Sequence, residues 1–126
     1  MAPRRIRITA GSVAADAVLD DSSTADLIWK ALPLAVAGET WGDEIYFAIP
    51  VKAKAEHPRE TVDMGDLAYW PPGSAFCIFF GPTPSSRCDE IRPASAVNVF
   101  GRVVGDATVL KTVRAGTVVR VERASE

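Results

Sequence analysis

The sequence predicts a single all-β domain. Short runs rich in Val, Ile, Thr and aromatic residues are separated by Gly, Pro and Asp at close intervals, which is typical of strands joined by turns. Residues 5–9 alternate strictly between polar and apolar, and residues 44–50 place a large apolar side chain at every second position. With 126 residues, 48% of them hydrophobic, the chain is long enough for one core. We therefore expect one domain over residues 1–126.

The N-terminal part of the chain predicts two strands and one helix. The strands lie at residues 5–9 and 17–20, and the run from Asp21 to Thr24 offers several N-cap residues for a helix that follows. Pro33 ends this helix, because proline lacks the amide hydrogen and disfavours a helical residue before it. The apolar spacing predicts a buried stripe of Leu27, Ile28, Ala31 and Leu32.

The rest of the chain predicts strands joined by loops. In the strand at 44–50, Ile45, Phe47 and Ile49 should face the core, and a polar hairpin loop at 56–60 should join this strand to Thr61 and Val62. Residues 82–93 form a long irregular loop, where function is commonly placed on a rigid scaffold. The remaining expected elements are strands at 66–70, 76–80, 96–104 and 117–121, a turn at 71–73 and a short helix within 106–113, with the strand at 76–80 covered on both faces.

Charge and hydropathy exclude several partner classes. The net charge is −2 and the basic residues are scattered between Arg4 and Arg123, so we expect neither nucleic acid nor an anionic membrane as a partner. The longest apolar run is far short of a bilayer span. The start, Pro3-Arg4-Arg5 followed by alternation, lacks the apolar stretch of a signal peptide. A cytoplasmic location is therefore expected.

Residue types that carry common catalytic chemistry are sparse. Cys77 and Cys88 fit neither a metal spacing nor a disulfide framework, and His57, the only histidine, lies in a polar loop. No serine has a histidine in view as a base, and the glycines form no nucleotide-binding motif. We expect no catalytic residue of these kinds, no metal site and no cofactor.

Several local strings resemble the cyclophilins. Val99 to Val104, followed by Val109 to Lys111, is similar to the cyclophilin string VFGKV and its following VVK. Gly65 to Ala68 resembles the GxLSMAN strand, Gly73-Ser74 resembles the start of GSQFF, and Ile49-Pro50 resembles the end of FHRIIP. The resemblance implies a closed antiparallel barrel of about eight strands, capped by one or two short helices.

Three longer strings resemble a more specific group, the compact prokaryotic cyclophilin-like domains, which are largely uncharacterised. These domains are marked by segments of the form WGDEIYF, GDxAYWPPGxAxCIFFG and RPASPVNV. Here the segments lie at residues 41–47, 65–81 and 92–99, with Ala96 in place of the last proline. A fold hosts many functions, so the resemblance leaves the reaction open.

The catalytic residues of cyclophilin isomerases have no match in this chain. The isomerase arginine falls on Phe47 if Ile49-Pro50 is aligned, or on Tyr46 or Ala48 if strand parity is kept, and none of these carries a guanidinium. The other positions of the isomerase site fall on Ala75, Cys77, Arg92 and Val97. The resemblance therefore implies no efficient prolyl isomerase activity, and a weak isomerase is the enzymatic alternative.

Strand parity indicates a candidate groove on the outer face of the barrel. We expect a small molecule or a short peptide segment as the partner, because aromatic side chains fit a flat or proline-like ligand and a carboxylate accepts from a cation or hydroxyl. The candidate ligand-binding residues are Glu44, Tyr46, Trp70, Cys77, Phe79 and Arg92.

Three alternatives remain open at this stage. Trp70, Cys77 and Phe79 could instead pack beneath the 82–93 loop. Trp41 could line a pocket or merely plug its turn. The exposed aromatics could also form an interface between copies, so that the chain would be a self-associating homodimer rather than a monomer.

Overall fold

The computed structural model describes residues 4–124. Residues 1–3 and 125–126 of the predicted domain lie outside this range, and Pro3 is among them. Within it, no helix is long and apolar enough to cross a bilayer. The chain forms one helix, α1 (Ser23–Ala31), two short 3-10 segments (Pro71–Gly73 and Ala107–Thr112) and nine strands: β1 (Arg4–Ala10), β2 (Val13–Leu19), β3 (Leu34–Ala37), β4 (Glu39–Thr40), β5 (Glu44–Ala48), β6 (Asp66–Trp70), β7 (Ala75–Phe79), β8 (Asn98–Val104) and β9 (Val118–Arg123).

The strands form one antiparallel sheet that curls into a nearly closed barrel. Their order is β3-β9-β1-β2-β8-β6-β7-β5-β4. The two ends of this order, β3 and β4, are separated in the chain only by Gly38, so the sheet returns almost to its own edge. A Cβ at Gly38 would lie 2.9 Å from Cγ2 of Val119 and 3.2 Å from Cγ2 of Ile45, so this closure needs a glycine.

The barrel prediction is confirmed, with nine strands rather than about eight. β3 and β4 were not predicted, because runs of four and two residues are too short to show a strand period. The expected strand at 66–70 and the turn at 71–73 are present with the predicted bounds. The expected strands at 76–80, 96–104 and 117–121 are present with shifted ends, and a 3-10 segment lies within 106–113. The segment at 82–93 is irregular, as expected.

The barrel interior is filled by aromatic and aliphatic side chains. Phe76 stacks on Phe47 with ring centroids 5.0 Å apart, and it meets Phe100 edge-on at 5.1 Å. Ile45, Phe47 and Ile49 are all buried, so the predicted inward face of β5 is confirmed. This parity sends the side chains of Glu44 and Tyr46 to the outside of the barrel.

Helix α1 is confirmed, but its buried stripe differs from the prediction. Ser22 is the N-cap, with its hydroxyl accepting from the Ala25 amide, and the helix ends at Ala31 before Pro33. Leu27 is 39% exposed, whereas Thr24 and Ala25 are buried. The Thr24 hydroxyl accepts from Nδ2 of Asn98 at 3.2 Å, and this contact turns the Thr24 face of the helix inward.

The predicted hairpin loop at 56–60 is wrong. Residues 49–65 form no ladder with β5. Their β-pairing consists of two isolated bridges, one between Arg59 and Val97 and one between Val62 and Ile91. Asn98 of β8 holds this stretch instead, because its Oδ1 accepts from the Glu56 amide at 2.8 Å and its Nδ2 donates to the Lys54 carbonyl at 2.8 Å. The Asn98 amide therefore helps to hold this stretch in place of strand pairing, together with the Tyr69 hydroxyl, which donates to the Val51 carbonyl at 2.7 Å and accepts from the Ala53 amide at 3.3 Å.

Candidate functional site

The outer face of β5, β6 and β7 carries a second, smaller hydrophobic cluster. Tyr46 of β5 pairs in register with Cys77 of β7, and Cys77 pairs with Ala68 of β6, so the three side chains share the outer face. Val62, Ile91 of the 82–93 loop and Val97 cover part of this face. The buried members of the cluster are Val62, Ala68, Ala75, Cys77, Phe79, Ile91 and Val97.

The cover is incomplete and leaves a cavity of about 280 Å³. It lies between the outer strand face and the segment that follows the long loop. Its lining is largely apolar, and none of its side chains is basic. The lining residues are Trp41, Glu44, Tyr46, Trp70, Cys77, Pro93, Ala94 and Val97.

The structure brings four of the six candidate residues together at this cavity: Glu44, Tyr46, Trp70 and Cys77. Phe79 is fully buried within the outer cluster and does not line the cavity, because Ile91 and Val97 pack in the same cluster. Arg92 also lies outside the lining, since its Nε donates to Oε2 of Glu90 at 2.6 Å. The observed cavity therefore differs from the expected groove at Phe79 and Arg92. For Phe79, the position agrees with the alternative that this side chain packs beneath the 82–93 loop.

The sequence left open whether Trp41 lines a pocket. It also did not predict the wall of the cavity opposite the strands, which is formed by Pro93, Ala94 and Val97 and is called the far wall below. Trp41 lines the cavity, and its place three residues before Glu44 in the same turn was a usable signal. Pro93 and Ala94 lie in an irregular stretch without periodicity, so no sequence pattern assigned them to the cavity, whereas Val97 matches a position of the isomerase site.

Glu44 is the unusual group in the cavity. Its residue is only 6% exposed, and no side chain among residues 4–124 forms an ion pair with it. Burial raises the pKa of its carboxyl to about 7, although a hydrogen bond from the Cys77 thiol partly opposes the shift. Near neutral pH, Glu44 is thus divided between the acid and the carboxylate.

Cys77 is a buried thiol rather than a reactive one. It is 2% exposed, and burial raises its pKa well above the ordinary value, with the nearby charge and hydrogen bond of Glu44 adding to the effect. The sulfur also lies 3.9 Å from the Ala75 carbonyl oxygen, so that carbonyl competes with Glu44 for the one thiol proton. A thiol held in this way is a poor nucleophile.

The two indole walls are fixed by their surroundings. Nε1 of Trp70 donates to the Ser95 hydroxyl at 2.7 Å, and a Cβ at Gly73 would lie 2.9 Å from the Trp70 ring carbons. Trp41 belongs to a turn in which its amide donates to the Glu44 carbonyl at 3.0 Å. Gly42 in this turn has φ +62°, and a Cβ there would lie 2.9 Å from the Pro82 carbonyl, so glycine is required.

The loop that carries the far wall is held by its own hydrogen bonds. The Thr83 hydroxyl donates to the Arg92 carbonyl, and the Ser86 hydroxyl accepts from the amides of Thr83 and Arg92 at 2.9 and 3.0 Å. These bonds place the end of the loop before any ligand arrives. The cavity is therefore preformed, which lowers the ordering cost of binding.

The polar and aromatic groups of the cavity lining are one acid, one phenol, one buried thiol and two indoles. Among residues 4–124, no group of three His, Cys, Asp or Glu side chains is placed to hold a metal ion. The arrangement can accept a hydrogen bond or a positive charge at Glu44 and can stack a flat or cationic group on its rings.

Comparisons with known proteins agree with this architecture. The solution structure of a hypothetical protein from Archaeoglobus fulgidus is 45% identical over 97% of this chain and 95% of that one, with a TM-score of 0.83. The structure of McbB in complex with tryptophan is 18% identical, with a TM-score of 0.73, and the match covers 96% of this chain but 45% of McbB. No curated protein matches the chain. The model of the cyclophilin-like family matches residues 4–122, so this chain belongs to the cyclophilin-like family.

Proposed function

We propose that this chain is a binding barrel that holds a small molecule, or one side chain of a short peptide segment, in the outer-face cavity. The observation that carries the proposal is the unpaired, 6% exposed Glu44 beside the indoles of Trp41 and Trp70. Cavities with mostly apolar walls and a few fixed polar groups are the usual form of ligand sites.

The size of the cavity limits the ligand. Its volume of about 280 Å³ lies just below the roughly 300–1,000 Å³ usual for ligand pockets. A compact molecule with one ring fits this volume better than an extended peptide. McbB, of which 45% matches this chain, was solved in complex with tryptophan, and at 18% identity the likeness shows the fold alone.

Binding is tested by titration calorimetry with two ring compounds, benzyl alcohol and benzylamine. We expect saturable binding of at least one of them and a loss of about fivefold or more in affinity in Trp70→Ala, because the variant removes one wall of the cavity. Trp29→Phe is the matched control, since Trp29 packs against Arg123 and not at the cavity. No saturable binding of either compound, or full affinity in Trp70→Ala, would contradict the proposal.

We infer that the chain has no efficient prolyl isomerase activity. The inference is supported by the cavity lining, which holds no guanidinium, and by Arg92, which is engaged by Glu90. A protease-coupled assay on a proline peptide should give the uncatalysed rate. A rate above background that is lost in Arg92→Ala would favour the weak isomerase instead.

Self-association and location remain predictions. Light scattering of the wild-type chain and of Trp70→Ala should give a monomer in both cases if the indole lines a ligand cavity. A dimer that dissociates in Trp70→Ala would favour an interface at this face. The cytoplasmic location expected from the sequence stays a prediction.

A further inference from the structure

We propose that the cavity selects organic ammonium ions, with the cationic head against the Glu44 carboxylate and the rest of the molecule against the aromatic walls. This inference rests on the proposed function and names its ligand class. It rests on the missing counter-ion of Glu44, on the aromatic walls of the cavity and on the ionisable groups that face Glu44.

The first argument is the missing counter-ion of Glu44. A buried carboxylate without a cationic partner is costly, and proteins usually pair such a group or keep it protonated. Arg92 of the loop is held by Glu90, and Nζ of Lys111 lies 3.5 Å from Oδ2 of Asp43. A ligand that brings its own positive charge supplies the partner that the described residues do not.

The second argument is the composition of the walls. Trp41, Tyr46 and Trp70 present three aromatic rings to the same cavity as the acid. The face of an aromatic ring attracts a cation, by about 0.5–1 kcal/mol at exposed sites and about 2 kcal/mol or more where water is excluded. The lining contains no Lys, Arg or His, so an anionic ligand would meet the carboxylate without any compensating charge.

The third argument is the dependence of binding on pH. The ionisable groups that face Glu44 are Cys77 on β7 and Tyr46 on β5, while Trp70 and the residues of the far wall carry none. Burial keeps Cys77 in the thiol form. Glu44 is therefore the group that changes charge between pH 5.5 and 8, with a pKa of about 7, and a bound cation stabilises its ionised form.

Benzylamine and benzyl alcohol form a matched pair for the test, because they have the same ring and nearly the same shape and differ in charge. The ammonium of benzylamine, like that of lysine, stays protonated from pH 5.5 to 8. At pH 8 we expect benzylamine to bind about tenfold more tightly than benzyl alcohol. At pH 5.5, where Glu44 is protonated, we expect this preference to fall below about threefold.

Glu44→Gln should remove the preference at pH 8, so that benzylamine and benzyl alcohol bind this variant with affinities within about threefold of each other. As a control, Glu122→Gln removes the same charge at an exposed position of β9, and this variant should keep the preference for benzylamine over benzyl alcohol. The inference would be overturned by any one of three results. These are equal affinities of the two compounds at pH 8, a preference for benzylamine that does not change with pH, and a preference that is retained in Glu44→Gln. Benzyl alcohol binding that depends on Trp70 would still stand in those cases, so failure of this inference is distinguishable from failure of the proposed function.

Discussion

The two faces of strands β5, β6 and β7 differ in what they hold. The inner face packs Phe47 and Phe76 against Phe100. The outer face packs less completely and places Glu44 at an open cavity. The same strands therefore supply stability on one face and a preformed site on the other, and the alternation of side chains alone decides which residue serves which role.

The largest expected effect compares an inner with an outer aromatic residue. Phe76→Ala should lower the free energy of unfolding by about 3–5 kcal/mol, because it removes a fully buried ring from a packed core. Trp70→Ala should cost only about 1–2 kcal/mol, since Trp70 is partly exposed to the cavity. Urea denaturation of both variants measures the difference. Equal losses would break the distinction between the two faces.

The second effect is the dependence of stability on pH that Glu44 imposes. Its pKa is about 7 in the folded chain and 4.5 ordinarily, so the folded state keeps a proton between these values that the unfolded state has lost. The contribution of the Glu44 carboxyl to the free energy of unfolding is therefore fully present below pH 4.5. It is lost as the pH rises to about 7, and the loss amounts to about 2–3 kcal/mol in total. Denaturation of Glu44→Gln from pH 4 to 8 should lack this decline. An identical pH profile in the variant would show that Glu44 is not desolvated.

A third, smaller effect sharpens the contrast between Glu44 and an acid that has donors. Glu56 accepts from the amides of Ser23 and Thr24 and from the Thr24 hydroxyl, and these hydrogen bonds lower its pKa. The stabilisation of the folded chain by Glu56 is present at pH values above the ordinary pKa of a glutamate, and it is lost as the pH falls. Glu56→Ala should cost about 1 kcal/mol at pH 7. Urea denaturation measures this loss, and a larger loss in acid than at pH 7 would contradict the assignment.

The smallest effect concerns the two thiols. Cys88 is exposed, whereas Cys77 is buried beside Glu44. A thiol reagent such as 5,5′-dithiobis(2-nitrobenzoate) should therefore modify one cysteine quickly in the native chain and the second only after denaturation. Cys88→Ser should remove the fast reaction. Rapid modification in Cys88→Ser would mean that the outer cluster opens readily.

The strands other than β3 and β4, and the parity of β5, followed from the sequence because runs of five or more residues show a clear pattern. The same parity placed Glu44, Tyr46 and Cys77 on the outer face. The sequence did not show that Phe79 would be covered or that the 49–65 segment would be held by Asn98, because both depend on contacts between residues distant in the chain.

The most direct test of the outer-face site uses the three tryptophan indole signals in a ¹⁵N NMR titration with benzylamine at pH 8. Trp41 and Trp70 line the cavity, whereas Trp29 lies on α1 with Arg123 4.4 Å from its ring centre. We expect the Trp41 and Trp70 indole signals to shift together and saturate, with the Trp29 signal unchanged. Shifts confined to Trp29, or no saturable shift at Trp41 and Trp70, would contradict a binding site at this cavity.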